Sequence, residues 1–125
     1  MAGDPTAKAP LVQGIHHVGL LVDDLDAAAP FYTDVLGLPA SEDRPDFGVR
    51  GLWLNIGATQ QLHLFEGPTP RDGGQHVALQ VEDLVGVMAA LEGQGHKVRG
   101  YPREGPYVQA VTFDPAGNRV ELYLE

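Results

Sequence analysis

The sequence predicts an α+β fold made of two similar βαβββ modules, related by pseudo-two-fold symmetry and forming a curved mixed sheet around a central cavity. One internal repeat supports this prediction, because superposing residues 14–22 on residues 73–81 brings His17 onto His76. Both stretches are short apolar runs with one such histidine near the start. Two long copies exclude a solenoid, which needs many short repeats, and indicate two facing units instead.

A second correspondence lies later in each module. Residues 62–65 superpose on residues 120–123, so that His63 coincides with Glu121. Imidazole and carboxylate are both ligands of divalent metals, and so are the two histidines of the first correspondence. The repeat therefore predicts that the central cavity is metal-centred.

The first module begins with a strand over residues 14–22, whose alternation places His17 on the face opposite an aliphatic row. Asp23 and Asp24 predict a helix N-cap, and Gly37 predicts the end of that helix. Pro30 lies inside the predicted helix and lacks a backbone donor, so we expect a kink or a late helix start.

The rest of the first module is predicted to be mostly β-structure. Residues 41–48 are charged and contain Pro45, which predicts a loop or a weak edge strand. Strands are predicted over residues 49–56 and 60–65, separated by a turn at residues 57–59. A linker rich in proline and glycine, residues 66–74, follows.

The second module repeats this order. A strand over residues 75–81 leads to a cap at Asp83, a helix over residues 84–94 and a stop at Gly95. The predicted elements that follow are a strand beginning in residues 96–100, a loop over 101–106, a strand over 107–113, a tight turn over 114–118 and a last strand over 119–124. We expect residues 1–13 to be a flexible arm and residues 14–125 to be one domain, built of modules 14–67 and 73–125.

Composition limits the classes of partner. The 125 residues include 8 Lys and Arg against 17 Asp and Glu, a formal net charge of −9. This charge repels nucleic acid and anionic membrane surfaces, so neither is an expected partner. The chain has no cysteine, no apolar run of about 20 residues and no signal-peptide pattern near its start. These features favour a cytoplasmic protein.

Four side chains are predicted to converge in the cavity, because each lies on the strand face opposite the helix-packing residues: His17, His63, His76 and Glu121. Such groups are costly to desolvate without a partner, and one cation satisfies them together. Three imidazoles and a carboxylate suit Zn, Fe(II), Ni, Co or Mn, and the sequence does not choose among these. His63 has an alternative role, as a hydrogen-bonding group for the substrate or a metal-bound water.

Other side chains are candidates for substrate contact. Four lie beside the predicted ligands on the same strand face: Gln61, Phe65, Arg119 and Tyr123. Trp53 and Tyr107, with Phe47 and Tyr101, are candidates to line an apolar pocket, although such aromatic residues also occur in cores. His16 and His96 are interpreted as structural or exposed, and Asp114 as a turn residue.

Several motifs of this sequence resemble those of a known superfamily. They are Ile15-His16-His17-Val18, residues 31–38, Gln61-Leu62-His63-Leu64, His76-Val77-Ala78-Leu79 and residues 114–122. With these motifs the chain resembles the vicinal oxygen chelate superfamily, which includes glyoxalase I, fosfomycin resistance proteins, extradiol dioxygenases and bleomycin-binding proteins. The resemblance covers nearly the whole chain after Gln13.

The resemblance implies a ligand set. His17, His76 and Glu121 match the two histidines and one carboxylate of the dioxygenase and fosfomycin branches. His63 stands where glyoxalase I has a glutamate that helps to move a proton, so Glu121 is left as the carboxylate base and an unligated His63 as a possible proton shuttle. This departure argues against lactoylglutathione lyase activity itself.

The resemblance also implies a function. It predicts a metal-dependent enzyme on which two vicinal oxygens of a small oxygen-rich molecule chelate the metal, with a lyase or isomerase favoured over a dioxygenase. The alternative is a non-catalytic protein that binds a drug or natural product, as the bleomycin-binding branch does. A homodimer is expected in either case, with modules paired within one chain or exchanged between two.

Overall fold

The computed structural model describes residues 10–72, 74–102 and 106–124. The strands in chain order are β1 (His17–Val22), β2 (Gly51–Ile56), β3 (Gln60–Glu66), β4 (His76–Val81), β5 (Arg99–Pro102), β6 (Tyr107–Phe113) and β7 (Arg119–Leu124). The α-helices are α1 (Leu25–Pro30) and α2 (Leu84–Gly93), and a π-helical turn (Phe31–Val35) follows α1. Most of the predicted arm, and part of the predicted loop at 101–106, lie outside the described residues.

Each module forms its own mixed sheet. The first sheet has the order β1-β3-β2, and the second has the order β4-β7-β6-β5. In both, the first strand of the module pairs in parallel with the last, and the remaining pairs are antiparallel. The predicted α+β fold with two βαβββ-like modules is therefore confirmed.

The first helix departs from regular α-geometry at Pro30. The Asp24 side chain accepts a hydrogen bond of 3.2 Å from the Ala27 amide, as expected of an N-cap. After Pro30 the chain widens into the π-helical turn, in which the Leu36 amide donates to the Phe31 carbonyl five residues earlier. Proline lacks an amide and crowds the preceding turn, which explains the break that the sequence predicted there. Gly37 follows with a φ of +74°.

The first module has fewer strands than predicted. Within the described residues, the expected edge strand is reduced to a single bridge between Ala40 and Leu54. Proline on either side of this bridge, at positions 39 and 45, removes ladder donors and keeps the edge short. The third strand expected after the helix is thus reduced to this bridge, and residues 41–48 form a loop, which was one of the two alternatives predicted for them.

The second module follows its prediction closely. The Asp83 carboxylate caps α2 by accepting a hydrogen bond of 2.9 Å from the Gly86 amide, and Gly95 ends the helix with a φ of +86°. Strand β5 includes Tyr101 and Pro102, which the sequence placed in a loop. The register shifts between these two residues, as expected where proline cannot donate to a neighbouring strand.

Both helices pack on the same side of the sheets. The side chains of this shared core alternate along the strands, and those fully buried include Leu20, Val22, Leu62, Leu64, Val120 and Leu122. The opposite face of each sheet is free of helices and carries the polar residues that the sequence singled out. Among the described residues, no helix is long and apolar enough to cross a membrane.

The two modules contact each other along β1 and the start of β4. The side-chain amide of Gln75 accepts a hydrogen bond from the Leu21 amide and donates one to the Leu21 carbonyl, each 3.0 Å long. The Asn118 side chain donates to the same carbonyl at 2.9 Å. These bonds satisfy backbone groups on the edge of β1 that does not pair with β3, and they hold the two sheets side by side within one chain.

Candidate functional site

Three aromatic rings stack on the open face of the first sheet. Strand register places Gly19 and Trp53 on either side of His63. The His63 ring lies 4.2 Å from the indole of Trp53 and 4.0 Å from the imidazole of His17, and it is nearly parallel to both. Because Gly19 has no side chain, the ring of Phe65 fits beside it, where a Cβ would lie 3.2 Å from that ring.

His63 is buried within this stack and is only 3% exposed. Desolvation, and secondarily the nearby His17, His16 and Arg44, lower its pKa to about 4. The imidazole is therefore neutral at pH 7. Its Nε2 lies 2.9 Å from Gln61 Oε1, and the Gln61 amide nitrogen donates to Asn55. This arrangement assigns the proton of His63 to Nε2 and leaves the lone pair on Nδ1.

Glu121 occupies the corresponding place on the second sheet and is 9% exposed. Gln109 and Tyr123 each donate a hydrogen bond of 3.1 Å to Glu121 Oε1. The other oxygen, Oε2, lies 3.6 Å from His76 Nε2 and 3.7 Å from Arg119 Nε. The hydrogen bond to the carboxylate also raises the pKa of Tyr123, so this hydroxyl remains a donor at neutral pH.

The side chains of His76 and Glu121 face each other on the second sheet. His76 Nδ1 lies 3.1 Å from the Gly74 carbonyl, and in a neutral imidazole this contact requires the proton on Nδ1. The Nε2 lone pair then faces Glu121 Oε2, and two acceptors at this distance need a cation or a proton between them. Ligand atoms of a tetrahedral zinc ion lie about 3.3 Å apart, so the pair fits this geometry.

The histidines of the first sheet are placed differently. The lone pair of an imidazole nitrogen lies in the plane of its ring. Because the rings of His17 and His63 are stacked, their nitrogen lone pairs lie in parallel planes and do not point to a common metal position. His17 Nδ1 also lies 2.9 Å from His16 Nδ1. Within the described residues, no group of three or more His, Asp or Glu side chains is arranged to hold a metal ion. The four predicted ligands thus form two pairs, one on each sheet.

A cavity of about 560 Å³ opens between the two modules. Its walls come from the start of β1, the turn between β2 and β3, and the unpaired edge of β4. They include Gln61, the cross-strand partner of His17, and Ala78, the cross-strand partner of Glu121. The cavity is therefore flanked by neighbours of both pairs.

The other predicted contact residues divide between the two pairs. Gln61, Phe65 and Trp53 surround His63, while Arg119 and Tyr123 contact Glu121. Tyr107 is packed over Gly100 at the outer end of the second sheet, where a Cβ would lie 2.6 Å from its ring. Asp114 is a buried turn residue, and His96 packs edge-on against Phe31, both as interpreted from the sequence.

Sequence reasoning missed two residues of the site. Gln109 faces Glu121 from β6, and its alternation with Val111 and Phe113 was a signal for this placement. Arg44 lies in the loop before β2, where its Nη2 bonds the Val49 carbonyl and its guanidinium lies 5.3 Å from the Phe47 ring centroid. A loop residue of this kind has no periodic pattern, so the sequence offered no signal for it.

The chain matches one family model and is similar in sequence to a known enzyme. The model for the Glyoxalase/Bleomycin resistance protein/Dioxygenase superfamily matches residues 14–122. Ethylmalonyl-CoA/methylmalonyl-CoA epimerase of Cereibacter sphaeroides is 31% identical over 118 residues, which covers 82% of this chain and 88% of the epimerase.

Two solved structures are similar over nearly their whole length. TnmS3, an antibiotic-binding protein from Streptomyces sp. CB03234, superposes with a TM-score of 0.74 at 27% identity, covering 93% of this chain and 98% of that protein. Lactoylglutathione lyase from Agrobacterium tumefaciens superposes with a TM-score of 0.71 at 27% identity, covering 92% and 96% respectively. Enzymes and a binding protein thus share this architecture.

Proposed function

The chain belongs to the glyoxalase/bleomycin resistance protein/dioxygenase superfamily, and on this basis we propose that it is a metal-dependent isomerase acting on a small oxygen-rich substrate. The proposed reaction moves a proton at a carbon next to a carbonyl group. The observation that carries the proposal is the placement of two acceptor groups, neutral His63 and the Glu121 carboxylate, at corresponding positions on the open faces of the two separate sheets. The similarity to an epimerase supports the same reaction class.

The ligands proposed for the metal are His76, Glu121 and His17, and His63 either completes this set or, if it stays unligated, acts as the proton shuttle. The spacing of the first two supports this assignment, while His17 and His63 must leave their stacked arrangement to join it. A bound divalent ion supplies Lewis acidity to the substrate oxygens, which acidifies the neighbouring C–H bond.

The protein's own groups would handle the proton. Gln109 and Tyr123 hold Glu121 Oε1 with two hydrogen bonds, so the carboxylate is fixed with Oε2 toward the open side. His63 carries its proton on Nε2, held by Gln61, and keeps Nδ1 free to accept another. Two acceptors on opposite modules suit removal of a proton from one face of a carbon and its return to the other.

Deuterium exchange tests the proposal. The metal-loaded protein is incubated in D₂O with methylmalonyl-CoA and, separately, with lactoylglutathione, and loss of the α-proton is followed by NMR. We expect exchange with one of these or a related substrate, and a loss of about 100-fold or more in His63→Gln and Glu121→Gln. His96→Gln, a histidine outside the site, is the matched control. Equal exchange rates in all variants would overturn the assignment of these two residues.

A binding protein without catalysis is the second candidate. The stack of Trp53, His63 and His17 offers a flat aromatic surface, and the similarity to an antibiotic-binding protein favours this use. The two functions differ in their dependence on metal. Stoichiometric binding of an aromatic natural product by metal-free protein, with no α-proton exchange in any substrate, would favour the binding function.

A homodimer remains part of the proposal. Hydrogen bonds from Gln75 and Asn118 to Leu21 support pairing of the modules within one chain, so the dimer need not exchange them. Sedimentation equilibrium tests the oligomeric state. Mixing His17→Ala protein with His76→Ala, Glu121→Ala protein tests the pairing, because metal binding recovers in the mixture only if modules are exchanged between chains.

A further inference from the structure

A basic pocket lies on the open face of the second sheet, beside Glu121. It has a volume of about 410 Å³ and is lined by residues of β5, β6 and β7 and of the segment before β5. Its charged lining residues are all cations, and its other lining residues are two valines and two aromatic residues. The lining includes Lys97, Arg99, Arg119, Tyr101 and Phe113.

Strand register shows how the pocket joins the candidate site. Phe113 pairs with Arg119 across β6 and β7, and Arg119 pairs in turn with His76 of β4. In the next row, Arg99 pairs with Val111, which pairs with Glu121. Adjacent strands lie about 4.8 Å apart, so Arg99 is about 10 Å from Glu121 along this row. One small molecule can therefore contact both.

The charge of the pocket contrasts with that of the protein. The whole chain has only 8 Lys and Arg and a net charge of −9, yet three of these cations line this pocket. Arg119 is 3.7 Å from Glu121, whereas no ion pair is formed by Lys97 or Arg99 within the described residues. No acidic side chain is part of the pocket lining. The pocket is thus a local site of positive potential that an anion would neutralise.

Two features of the pocket point to the shape of that anion. Arg119 Nε is buried and makes no hydrogen bond among the described residues, and it lies 3.7 Å from Glu121 Oε2. Phe113 is 53% exposed, and the guanidinium of Arg99 lies 5.2 Å from the centroid of the Tyr101 ring. Exposed aromatic faces next to arginine donors suit a ligand that carries both a planar ring and a multiply charged anionic group.

We propose that this pocket binds a phosphate-bearing small molecule with a planar ring, of the nucleotide class. The phosphate lies among Lys97, Arg99 and Arg119, and the ring lies against Phe113 or Tyr101. A phosphate dianion fits better than a single carboxylate, because two unpaired cations face it. One part of this proposal rests on the proposed function: the pocket holds the part of the substrate that is remote from the carbon beside Glu121.

Calorimetry with ADP as the probe tests the pocket. We expect ADP to bind at about 50 mM NaCl and to bind markedly more weakly at about 500 mM, since the contacts are partly exposed to solvent. Adenosine, which lacks the phosphates, should bind at least tenfold more weakly than ADP. No binding of ADP at millimolar concentration, or equal binding of adenosine, would overturn the proposal.

Variants locate the binding. Lys97→Gln and Arg99→Gln should each weaken ADP binding about tenfold, and the double variant further. Arg71→Gln removes the same charge from an exposed arginine that pairs with Asp23 outside the pocket, and it should leave ADP binding unchanged. Unchanged affinity in the Lys97→Gln, Arg99→Gln double variant would exclude this pocket as the site.

The Glu121→Gln variant separates this proposal from the proposed function. It should lose α-proton exchange and keep or strengthen ADP binding, because a negative charge next to Arg119 is removed. Retained exchange in this variant would contradict the role given to Glu121 above and leave the pocket assignment standing. Loss of ADP binding in this variant, with the fold intact by circular dichroism, would contradict the pocket assignment.

Discussion

The Tyr32 hydroxyl donates a hydrogen bond of 2.5 Å to Asp114 Oδ2 and so joins the first helical segment to the last turn of the chain. Both side chains are buried, and desolvation together with the adjacent carboxylate raises the pKa of Tyr32. Asp114 also accepts hydrogen bonds from the amide and the side chain of Asn118. Because Asn118 in turn contacts Leu21, this buried polar network connects the two modules.

Tyr32→Phe should lower the free energy of unfolding by about 2 kcal/mol, because it removes one donor from a buried carboxylate while it keeps the ring. Urea denaturation followed by circular dichroism measures the change. Tyr107→Phe is the matched control, since Tyr107 is exposed at the outer end of the second sheet, and we expect a change within about 0.5 kcal/mol. Equal effects of the two substitutions would contradict the structural role of the Tyr32 bond.

Gln75→Ala should destabilise the contact between the modules. It removes two hydrogen bonds to the Leu21 backbone and one to Asn118, and leaves backbone groups of β1 with fewer partners. We expect a loss of about 1–3 kcal/mol in the free energy of unfolding. Gln13→Ala, at an exposed position before β1, is the control. Wild-type stability in Gln75→Ala would show that the two sheets do not depend on this side chain.

The fold was predictable from the sequence where its determinants are local. Asp24 and Asp83 cap helices as their positions indicated, and Gly95 and Gly117 adopt positive φ in the predicted stops and turns. The alternation of apolar residues also predicted correctly that Glu121 lies on the strand face opposite the helix-packing residues. These features depend on neighbours within a few residues, so a single sequence is enough to place them.

The arrangement of the site was less predictable. The stacking of Trp53 on His63 depends on the register between β2 and β3, and a shift by one residue would send these side chains to opposite faces. The π-helical turn after Pro30 and the position of Arg44 depend on backbone conformations that residue types do not specify. The sequence therefore gave the candidate residues but not their division into two pairs.

Metal content should depend on the pair of the second sheet. Elemental analysis of desalted protein should give about one transition metal per site in the wild type and none in the His76→Ala, Glu121→Ala double variant, because the variant loses the two ligands whose spacing fits a metal ion. His96→Asn, remote from the site, should keep the metal. A wild type that stays free of metal after reconstitution would contradict the metal-dependent function and favour the binding protein.

The stability of the metal-free protein should fall as the pH is lowered from about 6.5 to 4, because of His63. Its folded-state pKa of about 4 lies below the ordinary value of 6.5, so in this range the unfolded chain binds more protons than the folded protein does. As the pH falls from 7 to 5, protonation of His63 in the unfolded chain should raise the equilibrium constant for unfolding on the order of tenfold. Urea titrations of wild type and His63→Gln, both with a chelator, measure it. The variant should lose this part of the pH dependence, and parallel curves for the two proteins would show that His63 protonates as readily in the folded protein as in the unfolded chain.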